Sequence, residues 1–170
     1  MIKPKIETAL NNQINKELYS SYLYLSMGNY FETKNLSGFA NWMRIQSQEE
    51  YQHAMKFLDF VNQKGGRVTL KQIADPKIEW ESVTNVFEDT YEHEKMISAS
   101  INDIVDLALA EKDHATHTFL QWFVNEQVEE EATAVKILEE VKMISDYKAG
   151  LFMMDRELGQ RVANPAPTAD

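Results

Sequence analysis

Apolar residues recur at three- and four-residue spacing through almost the whole chain, the period of an amphipathic helix. The first stripe starts behind Pro4, a residue suited to a first helical turn. It runs through Leu10, Ile14, Glu17, Ser21, Tyr24 and Gly28 and stops at polar Thr33, Lys34 and Asn35. The second, over residues 38–64 with Ser37 as its expected cap, uses Phe39, Met43, Gln46, Glu50, His53, Phe57 and Phe60. Gly65-Gly66 ends it, because glycine takes the left-handed conformation of a helix C-terminus at little cost. A third stripe over residues 82–110 carries Val83, Phe87, Thr90, Glu94, Ile97, Ile101, Ile104 and Ala108. A fourth over 113–145 carries Thr116, Leu120, Phe123, Gln127, Glu130, Ala134, Ile137 and Val141. A short fifth segment, 146–158, is apolar at Leu151, Met154 and Leu158, with Gly159 placed to stop it.

The stretch 65–81, with Thr69, Pro76 and Trp80, has no helical period. Loops of that length are uncommon in compact domains and need a reason. Extended, it reaches about 55 Å at roughly 3.3 Å per residue. The second helix is about 40 Å long at 1.5 Å per residue. The loop is therefore long enough to cross the whole bundle and start the third helix beside the start of the second. The expected fold is all-α: two hairpins joined by one long crossover, plus a short fifth helix. Residues 1–162 form the one domain, and 163–170, with two prolines, are expected to be a disordered tail.

Each long stripe is interrupted by polar residues at its middle. Glu17 lies between Ile14 and Ser21, Glu50 and His53 between Met43 and Phe57, Glu94 between Phe87 and Ile97, and Gln127 and Glu130 between Phe123 and Ala134. One polar residue on a core face is usually a satisfied oddity. Carboxylates on four core faces are different, because an unpaired buried charge costs several kcal/mol. The six residues also form two triplets, Glu17, Glu50, His53 and Glu94, Gln127, Glu130, each member of the second 77 positions after its counterpart. Each triplet has one carboxylate on an earlier helix and an i, i+3 pair on a later one. A carboxylate-rich set contributed twice by paired helices suits two adjacent metal ions. Four carboxylates, an imidazole and an amide suit iron or manganese, with zinc possible.

Composition narrows the classes. The 170 residues contain no cysteine, which excludes disulfides, thiolate zinc sites and iron–sulfur clusters. The net charge is −10, with 27 acidic and 17 basic residues, which disfavours nucleic acid and anionic membrane partners. The polar N-terminus lacks the apolar run of a signal peptide, and no run approaches a membrane span. The expected location is cytoplasmic.

The chain resembles the ferritin family, in particular its non-haem bacterial members. The resemblance covers residues 1–162. It is most specific at Glu49-Glu50-Tyr51-Gln52-His53 and Asn125-Glu126-Gln127-Val128-Glu129-Glu130, with support from Glu17, Tyr24, Glu94 and Trp122. It implies a ferritin-like four-helix bundle that stores iron and has ferroxidase activity. Fe(II) is oxidised by dioxygen or peroxide, and Fe(III) is kept as a hydrated oxide mineral inside a homo-oligomeric shell of 24 subunits. By that resemblance Glu17, Glu50 and His53 hold the first iron, Glu50 bridges, and Glu94 with Glu130 holds the second. Gln127 lies beside the second iron, and Tyr24 supports the set from outside. Glu49, Glu126 and Glu129 look like a third iron site facing the storage cavity, although such a run would ordinarily be a solvated helix face.

Several positions depart from relatives. Bacterioferritins carry a histidine where this chain has Glu130, and their haem-ligating methionine falls at Tyr51, so no haem is expected. The carboxylates that line the three-fold pore of animal ferritins fall at His117 and Leu120, which leaves the iron access route open. His93 and His114 are expected at the surface. A ferritin-fold oxidoreductase or peroxidase without a storage role is the alternative, but such proteins typically carry an extra cysteine-ligated iron. A storage or nucleation subunit without catalysis typically loses the paired ligands, and a purely structural bundle leaves the buried carboxylates unexplained.

Overall fold

The computed structural model describes residues 2–163. Five helices account for most of them: α1 Pro4–Thr33, α2 Ser37–Gln63, α3 Val83–Ala110, α4 His114–Ile144 and α5 Lys148–Leu158. The helix ends follow from local chemistry. Pro4 is in the first turn of α1. Ser82 Oγ accepts from the Asn85 N–H at 3.1 Å, and Asp113 Oδ1 accepts from the Thr116 N–H at 3.1 Å, so α3 and α4 both start on side-chain caps. Gly65, at φ +70°, closes α2, and the Gly66 N–H returns to the Val61 carbonyl at 2.9 Å. The expected tail lies outside the described residues except for Ala163.

The crossover runs the length of α1 and is pinned to it by polar side chains. Asn11 Nδ2 donates to the Arg67 carbonyl at 3.0 Å, and Asn15 Nδ2 to that of Gln72 at 3.1 Å. Further along, Ser26 Oγ donates to the Lys77 carbonyl at 2.7 Å, and Tyr30 Oη to that of Trp80 at 3.0 Å. The loop thus satisfies backbone groups that a long irregular segment would otherwise leave to water. It delivers α3 antiparallel to α1, and α4 returns antiparallel to α2.

One cap differs from expectation. Ser37 is the first helical residue of α2, not its cap, and its neighbour Leu36 offers no capping side chain. The cap comes from α5: Asp155 Oδ1 accepts from the Gly38 N–H at 2.8 Å and the Phe39 N–H at 3.0 Å. A carboxylate at a helix N-terminus also complements the helix dipole. The approach is close enough that a Cβ on Gly38 would lie 1.5 Å from the Asp155 carbonyl oxygen. Gly38→Ala is therefore expected to push α5 off α2, raising amide hydrogen exchange across 148–158 at least about tenfold. Unchanged exchange there would show that α5 is held by other contacts.

The core forms two apolar clusters, one at each end of the bundle. Met27, Phe31, Phe39, Met43, Phe87 and Val141 belong to the first, and Leu10, Phe57, Ile101, Leu120 and Phe123 to the second. The stripes' polar interruptions fall between these clusters, at the level where the four long helices face one another.

Candidate metal centre

Burial is the first property of this mid-bundle layer. Glu17, Glu50, His53, Glu94, Gln127 and Glu130 are all between 1% and 9% exposed. Each sits on the inward stripe of a long helix, so the apolar residues above and below set its direction.

The first triplet converges. One ligand atom from each of Glu17, Glu50 and His53 lies within 4.8 Å of the others, and among the described residues no other three such groups come as close. His53 Nδ1 is 3.5 Å from Glu50 Oε2 and 4.0 Å from Glu17 Oε2. The imidazole is wedged edge-on against Trp122 and Phe123, with ring centroids 5.4 and 5.9 Å away. Glu17 Oε1 accepts from Gln13 Nε2 at 2.7 Å. Glu17 Oε2 is buried and has no hydrogen-bond partner. An orphaned buried carboxylate oxygen is costly, and this one faces an imidazole and a second carboxylate. A bound cation removes that cost.

The second triplet lies across the layer. Gln127 Nε2 donates to Glu94 Oε2 at 3.1 Å and to the Glu94 carbonyl at 3.3 Å, and Tyr24 Oη donates to Glu94 Oε1. Gln46 joins the two sets, its Nε2 donating to Glu130 Oε2 at 2.7 Å and to Glu50 Oε1 at 3.3 Å.

Electrostatics agree with a site built for cations. Burial pushes the Glu17 and Glu50 carboxyls well above the usual range, and neighbouring carboxylates push the same way. Glu94 is raised by burial, although Tyr24 and Gln127 oppose the rise. Glu130 is pushed up to about 8 by burial and then by the charge of Glu94. Burial, then the Glu94 charge, also raises the Tyr24 phenol well above 10.0. Burial thus favours the protonated form of these acids, and a bound cation would favour the ionised form.

The three carboxylates expected to face the storage cavity do not converge. Glu126 Oε1 is 4.0 Å from His53 Nε2. Glu129 is exposed. Glu49 Oε2 is paired with Arg161. The charges still sense one another, since burial first, then Glu129 and Glu49, raise the Glu126 carboxyl.

His93 corrects the surface expectation. It is buried, with Nε2 2.7 Å from Ser20 Oγ and its ring edge-on to Tyr24 at 5.8 Å. Burial lowers its pKa to about 4, so it stays neutral. Adjacent positions on a helix point about 100° apart, which turns His93 toward α1 and away from the carboxylates. His114 is exposed, as expected. The supporting amides Gln13 and Gln46 were not singled out from sequence. Each sits four residues before a carboxylate, Glu17 and Glu50, and that spacing was the available signal.

Fold and site together define a class: an all-α bundle whose mid-layer holds a buried carboxylate–imidazole cluster of the kind that binds paired transition-metal ions. The family model described as a ferritin-like domain matches residues 7–144. A bacterial non-heme ferritin of Bacteroides fragilis is 47% identical over 161 residues, covering 95% of this chain and all of that one. Its counterpart in Campylobacter jejuni is 38% identical over 156 residues, covering 92% and 93%. An Archaeoglobus fulgidus ferritin engineered into a closed form superposes with a TM-score of 0.95 at 50% identity, covering 96% of this chain and 100% of that one. The chain belongs to the ferritin family.

Proposed function

We infer that the protein is an iron-storing ferroxidase. The observation that carries this reading is the partnerless, buried Glu17 Oε2 set against Glu50 and His53. Fe(II) is the substrate. Glu17, Glu50 and His53 take the first ion, Glu94 and Glu130 the second, and Glu50 lies between them as the bridge. Gln127 and Tyr24 hold Glu94 in place. As Fe(II) binds, the protonated carboxyls release their protons. Each Fe(II) then gives one electron to dioxygen, and two electrons with two protons reduce it to hydrogen peroxide. Peroxide accepts two more electrons from further Fe(II), together with two protons, and becomes two waters. The Fe(III) hydrolyses, releasing protons, and moves on as hydrated oxide.

The storage role rests on a shell. Helix α5 buries only Met154 within the chain, while Phe152 and Met153 are 62% and 70% exposed. A short helix with bare apolar residues needs a partner surface, and copies of the same chain in a 24-subunit shell supply it. Among the described residues no helix is long and apolar enough to cross a membrane, which accords with a cytoplasmic store. Aerobic addition of Fe(II) to apoprotein tests the reading. Oxygen uptake with hundreds of Fe(III) retained per shell-sized particle is the expected result. Oxidation without retained iron would point to an oxidoreductase instead.

A third iron position at Glu49, Glu126 and Glu129 rests on the family resemblance and on the charge these carboxylates share, since their side chains do not converge in this structure. In Glu49→Ala with Glu126→Ala, anaerobic Fe(II) titration is expected to fall from three ions per chain to two. The first oxidation event persists, and the iron-to-oxygen ratio shifts. Equal stoichiometry in both proteins would return these residues to a solvated acidic face.

A further inference from the structure

Arg161 lies three residues beyond the end of α5, yet it reaches back to the middle of α2. Its guanidinium donates to Glu49 Oε2 at 2.5 Å and to Gln46 Oε1 at 3.0 Å. The same group lies 4.6 Å over the Trp42 ring, and the Arg161 backbone carbonyl accepts from Asn41 Nδ2 at 3.1 Å. These contacts place a permanent cation on one of the three carboxylates that flank the paired site. Among the described residues, neither Glu126 nor Glu129 is ion-paired with a Lys or Arg.

We propose that Arg161 is a tethered counter-ion that competes with Fe(II) for Glu49 and thereby governs whether a third ion binds beside the pair. The proposal rests on the third-site reading above. Arginine suits this role because it stays charged at every working pH and its planar fork fits a carboxylate. The short segment from α5 keeps it at high local concentration. Its side chain is 23% exposed and that of Glu49 14%. A pair still open to solvent is modest in strength, so an incoming divalent cation can displace it. A ligand whose receptive state is a minority binds more weakly by that fraction. The coupling is reciprocal: an ion on Glu49 must loosen Arg161 as much as Arg161 weakens the ion. Arg161 also touches Gln46, which holds Glu50 and Glu130, so its release reports third-ion occupancy to the pair.

The test is anaerobic Fe(II) titration by calorimetry on assembled wild type, Arg161→Ala, Arg161→Lys and Arg161→Ala with Glu49→Gln. Arg161→Ala is expected to tighten the third ion by up to about fivefold relative to the first two, the size that follows from removing a modest competitor. Arg161→Lys, which keeps the charge without the fork, should fall between, and adding Glu49→Gln should erase the gain. In wild type, the third equivalent of Fe(II) should raise amide exchange at 159–163, where the first two do not. A role confined to anchoring the tail would lower Tm and leave the third ion unchanged, which overturns the proposal. Loss of the third ion in Glu49→Gln, with no gain in Arg161→Ala, rejects Arg161 alone. A wild type that binds only two ions rejects the third site itself.

Discussion

His53→Ala is expected to slow the initial oxidation of Fe(II) by about a hundredfold, since loss of even an outer partner of a metal ligand costs 10–100-fold. His53 is the one imidazole among the six inward-facing polar residues, and its Nδ1 faces both Glu17 and Glu50. In the proposed first-iron site, removing it would leave only the carboxylate oxygens of Glu17 and Glu50. The helix around it keeps Phe57 and Met43 on the same stripe, both fully buried in the two apolar clusters. The bundle and the shell should therefore survive, as circular dichroism and sizing would show. Stopped-flow oxidation at two Fe(II) per chain is the measurement. An unchanged initial rate in a folded shell would remove His53 from the iron site.

The second large effect concerns the apoprotein, where the same carboxylates are a burden. Glu130 rises from 4.5 unfolded to about 8 folded, and Glu50 is raised well above 4.5, both mainly by burial. A group with a raised folded pKa contributes stability that is full below its unfolded value and is lost as pH climbs toward the folded one. The loss is about 1.4 kcal/mol per pH unit for each fully shifted group. His93 runs the other way, lowered from 6.5 to about 4 by burial. Its contribution is lost as pH falls from 6.5 to about 4, so it is constant above 6.5. Between pH 6.5 and 8 the carboxylates therefore dominate. Glu50→Gln with Glu130→Gln keeps the shapes and the acceptor oxygens for Gln46 while deleting two of these titrations. Apo wild type should lose Tm across that window, and the double variant should lose less. By pH 8 the gap should widen by at least about 4 °C, because Glu130 alone contributes about 2 kcal/mol across the window, at roughly 2–4 °C per kcal/mol for a chain of this size. Parallel curves would show that the carboxylates are structurally neutral. With Fe(II) present the order should reverse, because metal binds the deprotonated acids of wild type and has lost its ligands in the variant.

Much of this was legible from the chain because helices write their inward faces at a fixed period. The four stripes marked the long helices to within a residue or two, and the length of the 65–81 segment was enough for a crossover spanning the bundle. The mid-stripe position of Glu17, Glu50, His53, Glu94, Gln127 and Glu130 placed them at one level, since helices of similar length packed side by side align their middles. The site's support was less visible. Gln13 and Gln46 look like ordinary polar helix residues until the carboxylates beside them are known to be buried. His93 reads as a surface residue because it is next to inward-facing Glu94 and must point elsewhere on the helix, yet α1 packs over it and offers Ser20.

What the sequence determined by itself was set by local periodicity: an all-α chain, two hairpins about a long loop, and a core interrupted by acids at matching depth. What only the tertiary structure decided depends on contacts between residues far apart in sequence. Asp155 caps α2 across 117 residues, and Arg161 reaches Glu49 across 112. No period or motif encodes such a pair, because each partner satisfies its own helix rules alone. Their meeting follows from where the whole bundle sets α5 down, and that placement turns a solvated-looking glutamate into a carboxylate already holding a cation.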